Sequence, residues 1–182
     1  LADKEAPMPR PNIILIMCDQ MRGDAFGADG NSSIETPNLD FLASLGTRFC
    51  HAYSAVPSCL PARAILWTGQ NQWHTGVLGM GRGQGQIPHD FPHTLAGELA
   101  NAGYRTHLVG THAPEGVTPD DHGVDWNSWH SRPWHTDEYL HPTAWTMSRA
   151  LNFLDTFDYS QPFFLNISFA RPHSPYVPPR FY

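Results

Sequence analysis

Cys59-Leu60-Pro61-Ala62-Arg63 gathers a thiol, a helix-starting proline and a guanidinium into one short segment. Proline suits the first turn of a helix, where its missing N–H would have had no partner. A cysteine just ahead of it stands where unpaired backbone N–H groups and the helix dipole favour negative charge. Arg63 follows at the i, i+4 spacing that lets two side chains share one face. The combination reads as a reactive, anion-favouring helix start. A lone cysteine more often reads as a small buried hydrophobe, and that is the reading for Cys18 and Cys50. The second candidate is Asp19-Gln20, a carboxylate and an amide at the end of an apolar run. Their oxygens suit a hard divalent cation. The alternative is an aspartate that caps the next turn, which is also the reading for Asp24 and Asp29 in their Gly-containing stretch.

Elements must position these groups. Residues 12–18 (NIILIMC) form a continuous β-branched, apolar run, the mark of a strand buried on both faces of a parallel sheet. Asp19 then falls at its carboxyl end, where open α/β sheets bind ligands. Residues 36–46 predict a helix with Thr36 as N-cap, Pro37 in the first turn, Leu39, Leu42 and Leu45 on one face and Gly46 at the stop. Residues 47–56 read as extended. The Cys59 segment runs into a short helix ending near Gly69, and residues 76–86 read as a Gly-rich loop. A helix over 93–103, a strand over 104–109, a helix over 146–157 and a buried-type strand over 162–169 follow. Residues 111–135 lack periodicity and read as a long surface excursion. Residues 1–11, with three prolines, read as an extended arm. This alternation of strand and helix favours a layered α/β sheet.

Composition narrows the class. The 182 residues suit about one domain, and 41% apolar content supplies a core. The longest apolar run, residues 13–18, is far short of a membrane span. Acidic residues outnumber basic ones 17 to 11, a net charge of −6, and no basic stripe offers a nucleic-acid footprint. Three cysteines without paired spacing argue against a disulfide framework. The opening residues show neither a charged n-region nor an apolar core; a cytoplasmic protein and a periplasmic or secreted one with its signal removed would read alike.

The segment from Cys59 to Gly69 resembles the C-x-P-x-R…TG signature of the formylglycine-dependent sulfatases, in the alkaline phosphatase superfamily. PNIILIMCDQ (11–20) is similar to their first strand and metal-binding aspartate, and TPNLDFLASLGTRF (36–49) to their first helix and following strand. TLAGELANAGYRTHLVG (94–110), HGVDWNSW (122–129) and PFFLNISFARPHSPYVPPRFY (162–182) resemble later family blocks, in family order. The resemblance implies an α/β sandwich of alkaline-phosphatase type, with a mixed, largely parallel central sheet flanked by helices. Residues 12–182 would be the N-terminal part of its catalytic domain.

It also implies chemistry. Cys59 would be oxidised by a formylglycine-generating enzyme to an aldehyde that hydrates to a gem-diol. One diol oxygen would coordinate a divalent metal (calcium, with Mg2+ or Mn2+ as alternatives) and attack sulfur of a small-molecule or saccharide sulfate ester. The second hydroxyl would then expel sulfate. Asp19, Gln20 and position 59 would hold the metal, with Gln20 replacing an aspartate common in relatives. Arg63 and His173 would contact the sulfuryl group, and a protonated histidine would act as general acid.

The pattern breaks in two places. Relatives carry G-K-x-H where this chain reads Gly110-Thr111-His112-Ala113. His112 is either the family histidine or a loop residue, and Lys4, the one lysine, stands elsewhere. Family members are also longer, with further metal ligands beyond the equivalent of residue 182; Asp121-His122 only superficially resembles them. Bare sheet edges would follow, and with them a homo-oligomer. Two other readings therefore stand beside the sulfatase: a phosphonate monoester or phosphodiester hydrolase of the same superfamily, and a truncated, non-catalytic fragment. Trp126, Trp129 and Trp134 read as either cleft walls or packing.

Overall fold

The computed structural model describes residues 10–80, 92–110, 141–176 and 178. Three parallel strands form its sheet: β1 (Ile13–Asp19), β2 (Arg105–Gly110) and β3 (Phe163–Pro172), in the order β1-β3-β2. All pairing among the described residues is parallel, with no antiparallel member of the expected mixed sheet. Among the described residues five α-helices accompany it: α1 (Pro37–Leu45), α2 (Cys59–Thr68), α3 (Gln72–Thr75), α4 (Leu95–Asn101) and α5 (Pro142–Thr156).

β3 is central because its sequence can be buried on both sides. Residues 163, 165, 167 and 169 face α5, where Phe163, Leu165 and Ile167 pack with Val109, Ala150, Phe153 and Phe157. Alternate residues face α2 and α4: Phe164 packs with Trp67 and Ala96, its ring edge-on to Trp67 at 6.1 Å. The strand period of two and helices on both faces together give three layers.

β1 departs from expectation. Ile13 and Leu15 pack on the α2–α4 side, but Ile14 and Ile16 lie 47% and 53% exposed. The physical reason is coverage: α5 packs on β3 and β2, leaving the same face of edge strand β1 bare among the described residues. Cys18, on that bare face, is exposed rather than buried, and so is Cys50. Helix α1 buries none of its residues, and Leu42 and Leu45 are exposed. Thr36 flanks α1 without capping it: its hydroxyl accepts from Gly27 N–H at 2.8 Å and donates to Asp40 at 2.9 Å. Residues 47–56 form no strand. Helix α5 starts a turn earlier than its apolar spacing suggests, because His141 caps it and Pro142 occupies its first turn.

Near the strand ends the β1–β3 register slips. Cys18 is level with Phe169, but Asp19 is level with Pro172. Ala170 and Arg171 are accommodated as a bulge, of the kind that re-aims side chains beside sites. His173 N–H closes the turn on the Ala170 carbonyl at 3.1 Å. The slip brings the chain around His173 level with Asp19.

Truncating Leu165, fully buried on β3, to alanine is expected to cost about 2–5 kcal/mol in urea unfolding. Ile16→Ala on the bare face is expected to cost under about 1 kcal/mol; equal losses would show that something covers β1 in solution.

Candidate active site

Helix α2 runs against the strand direction. Its first residue, Cys59, meets Asp19 at the end of β1; Arg63, one turn on, meets Ser168; Trp67, a further turn on, meets Phe164 nearer the start of β3. The helix N-terminus, with its positive dipole end, therefore points to the carboxyl ends of the strands. Pro61 is fully buried in the first turn, and Ser58 flanks the helix in extended conformation. The Leu60 N–H is taken by the Met80 thioether at 3.2 Å.

The Cys59 thiol donates to Asp19 Oδ1 at 3.0 Å. Arg63 Nη2 stands 3.9 Å from Asp19 Oδ2, and both side chains are almost wholly buried. The guanidinium's other arm, Nη1, donates to the Ser168 hydroxyl at 2.9 Å. Ligand atoms of Asp19, Cys59 and His173 all lie within 4.8 Å of one another. His173 Nδ1 is 2.6 Å from the Ser174 carbonyl. A carbonyl only accepts, so Nδ1 carries the proton and Nε2 is the nitrogen that can take or give one at the site. Arg171 braces this turn, its Nη1 donating to the carbonyls of His173 at 2.6 Å and Pro175 at 2.7 Å.

Electrostatics follow from this packing. Burial first, and then the hydrogen bond and negative charge of Asp19, push the Cys59 thiol up to about 11, against a downward pull from Arg63. Burial also pulls the Arg63 pKa below its ordinary value, opposed by Asp19 and Cys59; a guanidinium stays charged at neutral pH regardless.

The structure thus brings together Asp19, Cys59, Arg63 and His173 from three separated stretches of sequence: the end of β1, the start of α2 and the turn after β3. Gln20 follows Asp19 in the left-handed region (φ 59°) and is exposed, with no hydrogen bond to the cluster among the described residues. His112, Asp121, His122 and the tryptophans at 126, 129 and 134 lie outside the described residues. Asp24 and Asp29 sit away from the cluster, paired with Arg22 and Arg48. His107 stacks on Phe153 and His141 caps α5, both packing roles. Sequence reasoning missed Ser168, Met80 and Arg171. The signal for Ser168 was the polar pair Asn166 and Ser168, two apart in an otherwise apolar strand and so on one face.

The donor set can be tested against a cation. Ligand oxygens lie about 2.3–2.6 Å from calcium, so atoms up to about 5 Å apart can share one ion. Asp19 and position 59 meet that limit. An oxygen at position 59 would suit a hard cation better than the thiol, and an imidazole suits it less well. His173 therefore fits a role beside the ion better than one on it.

The family model described as Sulfatase matches residues 11–182. The chain is 39% identical to an arylsulfatase of Clostridium perfringens, over 95% of this chain and 45% of that protein. A solved structure in complex with its substrate D-glucosamine-2-N,6-O-disulfate is 26% identical, with TM-score 0.75, over 90% of this chain and 35% of the other. The phosphonate monoester hydrolase of Agrobacterium radiobacter is 27% identical, with TM-score 0.72, over 94% and 43%. The chain spans less than half the length of each of these relatives. Its α/β architecture is alkaline-phosphatase-like, as the sequence predicted.

Unconverted Cys59 is expected to react with iodoacetamide only as pH approaches its raised pKa of about 11. Asp19→Asn, which removes the opposing negative charge, should move that rate profile to lower pH, and Arg63→Gln should move it higher.

Proposed function

The chain belongs to the sulfatase family, and from that premise we propose that it carries the nucleophile-bearing part of a catalytic domain that hydrolyses sulfate esters. One observation above all supports this reading: the side chain at position 59 meets the buried Asp19 carboxylate at 3.0 Å, at the mouth of α2, with Arg63 beside the same carboxylate.

The unmodified thiol is a weak nucleophile here. Raised to about 11, it is almost wholly protonated at neutral pH. Conversion of Cys59 to formylglycine is supported by the C-x-P-x-R…TG pattern of residues 59–69. With that conversion made and a divalent cation bound (calcium, with Mg2+ or Mn2+ as alternatives), the hydrated aldehyde would supply the attacking oxygen and the cation would offset charge on the sulfuryl group.

The chain's own residues do the rest. Asp19 and position 59 would hold the cation, with the Gln20 amide as a further oxygen on the sequence resemblance alone. Arg63 presents a permanent positive charge to the sulfuryl oxygens. Because it is buried and already anchored, it needs little reorganisation as charge moves toward the leaving oxygen. His173 keeps one proton on Nδ1 through Ser174, so a second proton, on Nε2, is the one to give to the leaving alcohol. His112 is carried as a further site residue on the sequence resemblance alone.

The similarity to an arylsulfatase favours an aryl or other small sulfate ester. A second reading, hydrolysis of a phosphonate monoester, is favoured by the fold it shares with the Agrobacterium enzyme.

Protein made with a formylglycine-generating enzyme is expected to show conversion at position 59 by peptide mass spectrometry and to hydrolyse an aryl sulfate. Cys59→Ala should reduce turnover to background, and chelation should abolish it until calcium is restored. Faster turnover of an aryl phosphonate monoester would favour the second reading, and wholly unconverted Cys59 would count against formylglycine chemistry.

A further inference from the structure

We propose that Ser168 is the positioning residue for Arg63, setting where its guanidinium meets the anionic group of the substrate. This rests on the sulfatase reading above and names a part of the site that the Cys59 segment does not contain.

An arginine side chain has many rotamers, and holding one of them needs fixed partners. Asp19 is a poor anchor alone, since its nearest approach to the Arg63 guanidinium is 3.9 Å, beyond hydrogen-bond length. The 2.9 Å bond from Nη1 to the Ser168 hydroxyl is the short one. Both side chains are buried, Ser168 completely, so water competes little for the bond and its loss would strand a charged donor.

Ser168 is itself fixed. It sits on the central strand, level with Met17 of β1 on one side and Gly110 of β2 on the other. Gly110 adopts φ 106°, and a Cβ there would lie 2.0 Å from the Ser168 carbonyl oxygen. β2 can press this closely on Ser168 only because Gly110 lacks a side chain. The strand backbone thus fixes Ser168, Ser168 fixes one arm of the guanidinium, and the other arm is left toward Asp19 and position 59.

The test uses two readouts on the converted protein: kcat/KM for an aryl sulfate, and the calorimetric affinity for inorganic sulfate. Ser168→Ala is expected to lower both by roughly ten- to hundredfold, the range for a lost hydrogen bond to a charged group. Ser168→Cys, similar in size but a weak acceptor, should give the same loss if the alanine variant folds poorly. In an Arg63→Lys background the Ser168 substitutions should have little further effect, because their influence passes through the guanidinium; a purely structural role would give the same loss in both backgrounds. Unchanged kinetics and sulfate affinity in Ser168→Ala, or full additivity with Arg63→Lys, overturns the assignment. If the parent binds sulfate but hydrolyses no aryl sulfate, the reaction reading fails while the titration still decides Ser168. A parent that binds no sulfate overturns both.

Discussion

Everything at this site depends on burying a carboxylate and a guanidinium together beside a thiol. Asp19 is 5% exposed and Arg63 6% exposed. Either charge alone would be costly to remove from water, and the pair is tolerable because each offsets the other's desolvation and each finds polar neighbours. The thiol carries the consequence, since burial first, and then the carboxylate that accepts its hydrogen bond, suppress its ionisation. A side chain so placed is poorly suited to act as a thiolate; on the proposed reading, an oxygen at position 59 would share a cation with Asp19.

Helix direction makes that burial possible. Because α2 runs against the strands, the residue at its first position and the residue at the end of β1 meet, and the helix dipole acts in the same sense as Arg63. The bulge in β3 complements this from the other side. Without the slip between Cys18 and Asp19, Pro172 would not stand level with Asp19 and the histidine after it would emerge elsewhere. Two local devices, one helix start and one bulge, bring together groups far apart in the chain.

The helix start was legible because its information is local. A cysteine, a first-turn proline and an arginine one turn later specify a conformation and a field within five positions. The strands were legible for the same reason, through continuous apolar runs. What sequence could not supply was pairing. Arg63 and Ser168 are 105 residues apart, and their bond exists only once β3 lies centrally and in a particular register. Exposure failed likewise: the run at 12–18 looks doubly buried, yet whether Ile14, Ile16 and Cys18 are covered depends on where α5 lies, not on their own hydrophobicity. Leu42 and Leu45 mark an apolar face on α1 without naming what should cover it. The bulge left no signal, since Ala170-Arg171-Pro172 reads as a strand end either way.

The net charge of these 182 residues is −6 and offers an anion no long-range attraction, so on the proposed reading an anionic substrate would be held by fixed positive charge at close quarters. A buried guanidinium meets that need at any ordinary pH, whereas an imidazole does so only when protonated. On the proposed reading, recognition of the anionic group would fall to Arg63 and proton delivery to His173. A sulfate monoester and a phosphonate monoester each present a tetrahedral centre with one negative charge, so this cluster meets the same demand from both. Contacts to the leaving alcohol, outside the cluster, are then what separate the two reactions, which is why one architecture can serve a sulfatase and a phosphonate hydrolase alike.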